Sequence, residues 1–118
     1  ERMQQARQPW SVSTPAQAAG LAALRDSDRV QEARELICRE RSRMEEELRK
    51  AGVEVIPSKA NFILMYSSYD LFSLLKDRGI LIRDCSNYSG LGKGWYRTAV
   101  RRREENDRLL DAIRQICG

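Results

Sequence analysis

Between Arg29 and Ala51 the apolar residues Val30, Ala33, Ile37, Met44, Leu48 and Ala51 recur at helical spacing, and Gly52 follows at once. Such a stripe is the buried face of an amphipathic helix, and glycine is the residue best able to take the left-handed conformation that ends one. Glu45, Glu46 and Glu47 with Arg41, Arg43, Arg49 and Lys50 occupy the other side, and Glu45 with Arg49 and Glu46 with Lys50 stand four apart as ion-pair partners. Beyond Gly52 the period changes. Val53-Glu54-Val55-Ile56 alternates as a short strand, Pro57 and Ser58 interrupt it, and Asn61-Phe62-Ile63-Leu64-Met65-Tyr66 is apolar at nearly every position, as a central strand is. A long helix joined directly to short strands confines the chain to folds that mix the two.

The same reading extends to both ends. Pro9 and Pro15 mark the lead-in as irregular; Thr14 is placed to cap a helix and Pro15 to open it, over the Ala- and Leu-rich stretch 16–24. Asp26-Ser27-Asp28 is the next break. Asp70 caps a short helix carrying Leu71, Phe72, Leu74 and Leu75, which Gly79 terminates. Ile80-Leu81-Ile82-Arg83 reads as a strand ending in a charge, and residues 84–94 as a loop whose Gly90, Gly92 and Gly94 make a flexible connector. From Trp95 to Arg101 the chain alternates, with Trp95, Arg97 and Ala99 on one face and Tyr96, Thr98 and Val100 on the other. A last helix over 104–116 aligns Leu109, Ile113 and Ile116, with Leu110 beside them. The expected fold is α+β, a short and mainly antiparallel sheet with helices packed on one side. Residues 1–28 are expected to form a connecting segment and helix, and residues 29–118 the domain proper.

The residues present exclude much chemistry. There is no histidine, so the most frequent general base and metal ligand is missing, together with every histidine-dependent triad. No phosphate-binding loop of the G-x-x-x-x-G-K-[ST] type occurs. Lysine and arginine total 21 against 17 acidic residues, a net charge of +4, but the signs interleave. The single basic cluster, Arg101-Arg102-Arg103, runs straight into Glu104-Glu105, which argues against nucleic acid as a partner. No apolar run is long enough for a bilayer, so no membrane partner is expected. Cys38, Cys85 and Cys117 are too few and too far apart for a disulfide framework or zinc site, and fit a reducing, cytoplasmic setting. Two arginines stand out. Arg83 closes an apolar strand and Arg97 lies inside another. A guanidinium among apolar groups is costly unless an anion meets it, and its planar fork suits a carboxylate or phosphate. An internal salt bridge or an exposed strand face accounts equally well for either arginine.

At these residues the sequence resembles a known family. Ser58 to Ile116, and above all the string from Ile80 to Leu91 (Ile-Leu-Ile-Arg-Asp-Cys-Ser-Asn-Tyr-Ser-Gly-Leu), Trp95-Tyr-Arg-Thr-Ala-Val-Arg101 and Glu104-Glu-Asn106, resemble the C-terminal small domain of fold-type I pyridoxal-phosphate enzymes. These are class I/II aminotransferases, in the branch of the histidinol-phosphate aminotransferases and the threonine-phosphate decarboxylases of cobalamin biosynthesis. Gln8-Pro9-Trp10-Ser11-Val12 with Ala16-Gln17-Ala18 is similar to the segment that joins the two domains of such enzymes, with Trp10 packed between them. The resemblance implies that Arg97 grips the substrate carboxylate or its anionic equivalent, and that Arg83 helps hold the substrate phosphate. It implies a small phosphorylated amino acid as substrate, and a homodimeric parent with pyridoxal 5'-phosphate bound by a large domain not contained in these residues. Asn61 lies in the family's Ala-Asn-Phe/Tyr signature and is expected to fix backbone; Cys85 matches a family cysteine expected to pack.

The family's Schiff-base lysine has no counterpart: Lys50, Lys59, Lys76 and Lys93 are not in the Ser-x-x-Lys setting. The piece alone is therefore expected to be inactive and to bind no cofactor. The Asp84-Cys85-Ser86-Asn87-Tyr88 loop favours the decarboxylase over an aminotransferase. A stand-alone, non-catalytic α+β binding module explains the missing lysine without a longer parent. A Ser-x-x-Lys segment encoded upstream of Glu1 favours the enzyme, and an immediate start codon the module.

Overall fold

The computed structural model describes residues 12–118. The Gln8-Pro9-Trp10 element and most of the lead-in lie outside the described residues. The chain divides into two units, one ending at Ala33 and the other running from Arg34 to Gly118.

The described part of the first unit is helical. Helix α1 spans Thr14–Arg25. Ser13, not Thr14, is its cap: its hydroxyl accepts from the Ala16 backbone N–H at 3.4 Å, which leaves Thr14 as the first helical residue and places Pro15 second. Ser is the stronger cap of the two, and Pro15 fits the second helical position as well as the first, so the helix begins one residue earlier than expected. Helix α2 spans Ser27–Lys50, and the Asp26 carboxylate accepts from the Arg29 N–H at its start. It crosses the division between the units.

In the second unit α2 delivers a buried row of Glu40, Met44 and Leu48, with Ile37 and Ala51 half-buried beside it. Val30 and Ala33, expected on the same buried stripe, are exposed. The stripe thus becomes core only after the first turns. The expected ion pairs form, Arg49 to Glu45 at 3.2 Å and Lys50 to Glu46 at 2.8 Å. Gly52 takes φ +81° and turns the chain into β1, Glu54–Ile56. Strand β2 follows at Phe62–Tyr66, then helix α3 at Leu71–Lys76, capped by the Asp70 carboxylate on the Ser73 N–H at 3.2 Å. Strand β3 is Arg83–Asp84, β4 is Trp95–Ala99 and helix α4 is Arg103–Cys117.

The four strands lie in the order β1-β2-β4-β3, every neighbouring pair antiparallel. The fold is α+β. Strand β2 is interior, but only one of its faces is buried. Val55, Ile63, Met65, Tyr96 and Val100 point into a core shared with Met44, Leu48, Leu71, Leu75, Leu110 and Ile113 from the helices. The opposite face carries Ile56, Phe62, Leu64, Tyr66, Trp95 and Arg97, all exposed or half-buried. Within the second unit, helices cover only one side of the sheet.

The strand expected at 80–83 is shorter. After α3 the chain turns through Gly79 at φ +71°, and the Ile80 N–H bonds back to the Leu75 carbonyl at 2.9 Å. That bond spends the start of the segment on ending the helix, so the ladder begins only at Arg83.

The glycine loop is not uniformly loose. Gly94 is buried, with φ +92°, and a Cβ there would lie 2.7 Å from the Ser67 carbonyl oxygen and 2.8 Å from the Tyr66 ring. Its own carbonyl accepts from the Ser67 N–H at 3.0 Å. Gly94→Ala adds both a left-handed strain and a clash with backbone. It is expected to lower the unfolding free energy by about 2 kcal/mol, read by urea titration; the same substitution at Gly92, whose Cβ position is open, serves as the control.

Candidate anion-binding site

The site grows from the register of the two outer strands. Arg83 in β3 stands directly opposite Arg97 in β4, and Arg97 stands opposite Leu64 in β2, which faces Ile56 in β1. Residues opposite one another in an antiparallel ladder project to the same side. Both guanidinium groups therefore belong to the open face, opposite the helices that pack in the second unit. The expectation that Trp95, Arg97 and Ala99 share a face holds. The expected burial cost of Arg97 is smaller than a strand interior suggests, because that face is not packed.

Neither arginine has a carboxylate partner among the described residues. Arg83 donates from one Nη to the Asn87 side-chain oxygen at 3.4 Å and lies 5.7 Å from the centre of the Tyr88 ring. The Arg97 guanidinium carbon lies over the Phe62 ring, 4.5 Å from its centre. Aromatic faces attract cations without neutralising them, so each fork keeps its donors for an anion. The two side chains share one cavity of about 450 Å³ with Phe62, Leu81, Arg101 and Arg108. Its nearby carboxylate, Glu105, is already held by Arg101 at 2.6 Å. A second and more open hollow of about 650 Å³ lies on the other side of Phe62 and Arg97, walled by Ile56, Lys59 and Leu64.

The loop after β3 shapes one wall. The Asp84 carboxylate accepts from the Ser86 N–H at 2.8 Å, and the Cys85 carbonyl accepts from the Tyr88 N–H at 3.0 Å. Cys85 itself is buried. Burial pushes its thiol up, with a partial opposing pull from the positive Arg97 and Arg83. It sits as a packed, buried thiol. Asn61 is exposed, and its backbone carbonyl accepts from the Val100 N–H at 2.8 Å, tying β2 to the end of β4.

Sequence reasoning missed the polar cluster that carries β4 into α4. Glu40 is buried at 2% exposure. Its carboxylate accepts from Arg43 at 2.8 Å, from the Asn106 amide at 3.0 Å and from Arg103 at 3.3 Å. Burial works to raise the pKa of this carboxyl, but the donors prevail and hold it at about 2. Asn106 also receives the Arg101 N–H at 2.9 Å and returns its amide to the Arg101 carbonyl at 2.8 Å. It thereby fixes the turn out of the arginine strand, where α4 has no side-chain cap of its own.

No lysine lines the arginine cavity, and Lys50 is engaged with Glu46 and Glu47. Guanidinium groups do not form Schiff bases. The donors of this cavity fit a small anion gripped from one side, while Lys59 stands in the second hollow, on the far side of Arg97. Among the described residues no group of three or more Cys, Asp or Glu is arranged to hold a metal ion, and no helix is long and apolar enough to cross a membrane.

In the second unit an antiparallel sheet carries helices on one face and two arginines paired at one rung on the other. The class I and II aminotransferase family model matches residues 1–113, and the chain belongs to that family. It is 38% identical over 118 residues to histidinol-phosphate aminotransferase 2 of Archaeoglobus fulgidus, covering 98% of this chain and 34% of that enzyme. It is 37% identical to the threonine-phosphate decarboxylase of Salmonella typhimurium, covering 98% of this chain and 33% of that one. The crystal structure of the histidinol-phosphate aminotransferase from Clostridium acetobutylicum superposes with a TM-score of 0.83 at 30% identity, over 93% of this chain and 35% of that one. The chain thus spans about a third of the length of the curated relatives it matches.

Proposed function

We propose that this chain is the substrate-gripping C-terminal domain of a pyridoxal-phosphate enzyme that decarboxylates L-threonine O-3-phosphate. One observation carries the reading: Arg83 and Arg97 face each other on the open side of the sheet with no carboxylate between them. A substrate bearing two anionic groups fits two forked cations at one rung. Arg97, half-buried, takes the carboxylate, and the more exposed Arg83 takes the phosphate, each through paired N–H donors. The cofactor, held by the parent's large domain, supplies the electron sink. The cavity walls help hold the substrate in one pose, and the parent's large domain closes over the open side. The Asp84–Tyr88 loop, which braces Arg83 through Asn87, inclines the reading to the decarboxylase.

The runner-up is a histidinol-phosphate aminotransferase, supported as well by the relatives as the first reading. Both readings place the enzyme in a homodimeric parent. The full-length protein with pyridoxal phosphate is expected to release one carbon dioxide per L-threonine O-3-phosphate consumed, without a keto acid. Transfer of nitrogen from L-histidinol phosphate to 2-oxoglutarate, with no carbon dioxide from the threonine ester, selects the aminotransferase instead.

A further inference from the structure

Arg97 borders both hollows of the open face, and so does Phe62. An arginine on a strand has four rotatable bonds, and Arg97 has no ion-pair partner among the described residues to choose between the two directions. What the structure does supply is the Phe62 ring, one strand away and diagonal to Arg97 in the register: Phe62 pairs with Ala99 while Leu64 pairs with Arg97. The guanidinium carbon sits 4.5 Å from the ring centre. Phe62 is 38% exposed and outside the buried cluster, so core packing does not account for an aromatic ring at this place.

We propose that Phe62 is the positioning residue for Arg97, its ring holding the guanidinium plane so that the fork serves the arginine-lined hollow shared with Arg83 and not the wider one beside Lys59. This rests on the anion-binding role of Arg97 given above. A cation resting on an aromatic face keeps its charge and its edge donors, whereas a carboxylate partner would consume them. The ring thus orders the grip without competing for the ligand. Its removal leaves the cation present and unaimed, so binding suffers before turnover does.

The test uses the full-length holoenzyme titrated with L-threonine O-3-phosphate, followed through the cofactor absorbance and by steady-state kinetics. Phe62→Leu keeps an apolar side chain at a partly exposed position, and Phe62→Tyr keeps the ring. The leucine variant is expected to raise the dissociation constant and KM roughly tenfold with kcat within about twofold, at an unchanged melting temperature; the tyrosine variant is expected to restore both constants. In the Phe62→Leu background, Arg97→Ala is expected to cost clearly less than it does in the parent. Equal constants for the leucine variant and the parent, alongside a large Arg97→Ala effect, overturn the positioning role alone. An Arg97→Ala variant that binds like the parent overturns the anion reading itself, and this inference with it. A kcat loss with unchanged KM in Phe62→Leu also overturns it.

Discussion

Replacing Glu40 by alanine is expected to lower the unfolding free energy of the domain by about 3–5 kcal/mol, the range for removing one partner of a buried ion pair. Three donors lose their acceptor at once: Arg43, Arg103 and the Asn106 amide. Arg43 keeps Asp107 at 2.7 Å, but its Nε is already buried without a partner, so that side chain has little left to trade. The acid limb gives an independent check. The Glu40 carboxyl is held at about 2 in the folded protein against an ordinary value of 4.5. A lowered folded value stabilises above the unfolded value and is lost as pH falls toward the folded one. Denaturant titrations from pH 6 downward are therefore expected to show the parent's advantage over Glu40→Ala shrinking between pH 4.5 and about 2. An advantage that stays constant through that window rules out the charge as the source of stability.

The second large effect falls on the ligand. In the full-length protein, Arg97→Ala is expected to weaken substrate binding by about 3 kcal/mol, close to a hundredfold in KM. Arg97→Lys returns the charge but not the fork, and is expected to recover only part of the loss. Arg83→Ala costs less, because that group is exposed and its field is shared with solvent. Steady-state kinetics on the three variants measures this, and KM and kcat unchanged in Arg97→Ala would remove Arg97 from the site.

The contrast between these two sites shows what a sequence discloses. Alternation alone placed Arg97 on the face of Trp95 and Ala99, since strand period is insensitive to small errors in boundaries. The element order was legible for the same reason, each switch between helical and strand period being marked by Gly52, Pro57, Asp70 or Gly79. Arg83 was harder: β3 and β4 are consecutive, but an irregular loop over 85–94 joins them, and its length does not reveal which residue faces which across the ladder. Glu40 escaped because a charged residue between arginines reads as a wet surface. A signal was present. The stripe runs from Ile37 to Met44 with a missing turn, and Glu40 occupies the gap, three residues from one and four from the other. A buried acid needs partners from elsewhere in the chain, and Asn106, 66 residues away, carries no mark of the pairing. Gly94 likewise looked like one more loop glycine until Ser67 and Tyr66 closed around it.

The rung that sets Arg83 against Arg97 also has a mechanical side. Like charges opposite one another on a ladder repel, and this pair stands on the last ladder of the sheet, where the outer strand is two residues long. Dissolved salt screens that repulsion, and a bound dianion reverses its sign. If the pair binds its anion as proposed above, the rim of the sheet is expected to be tightest when the grip is filled, and occupancy to be felt as stiffness along an edge without any separate moving part.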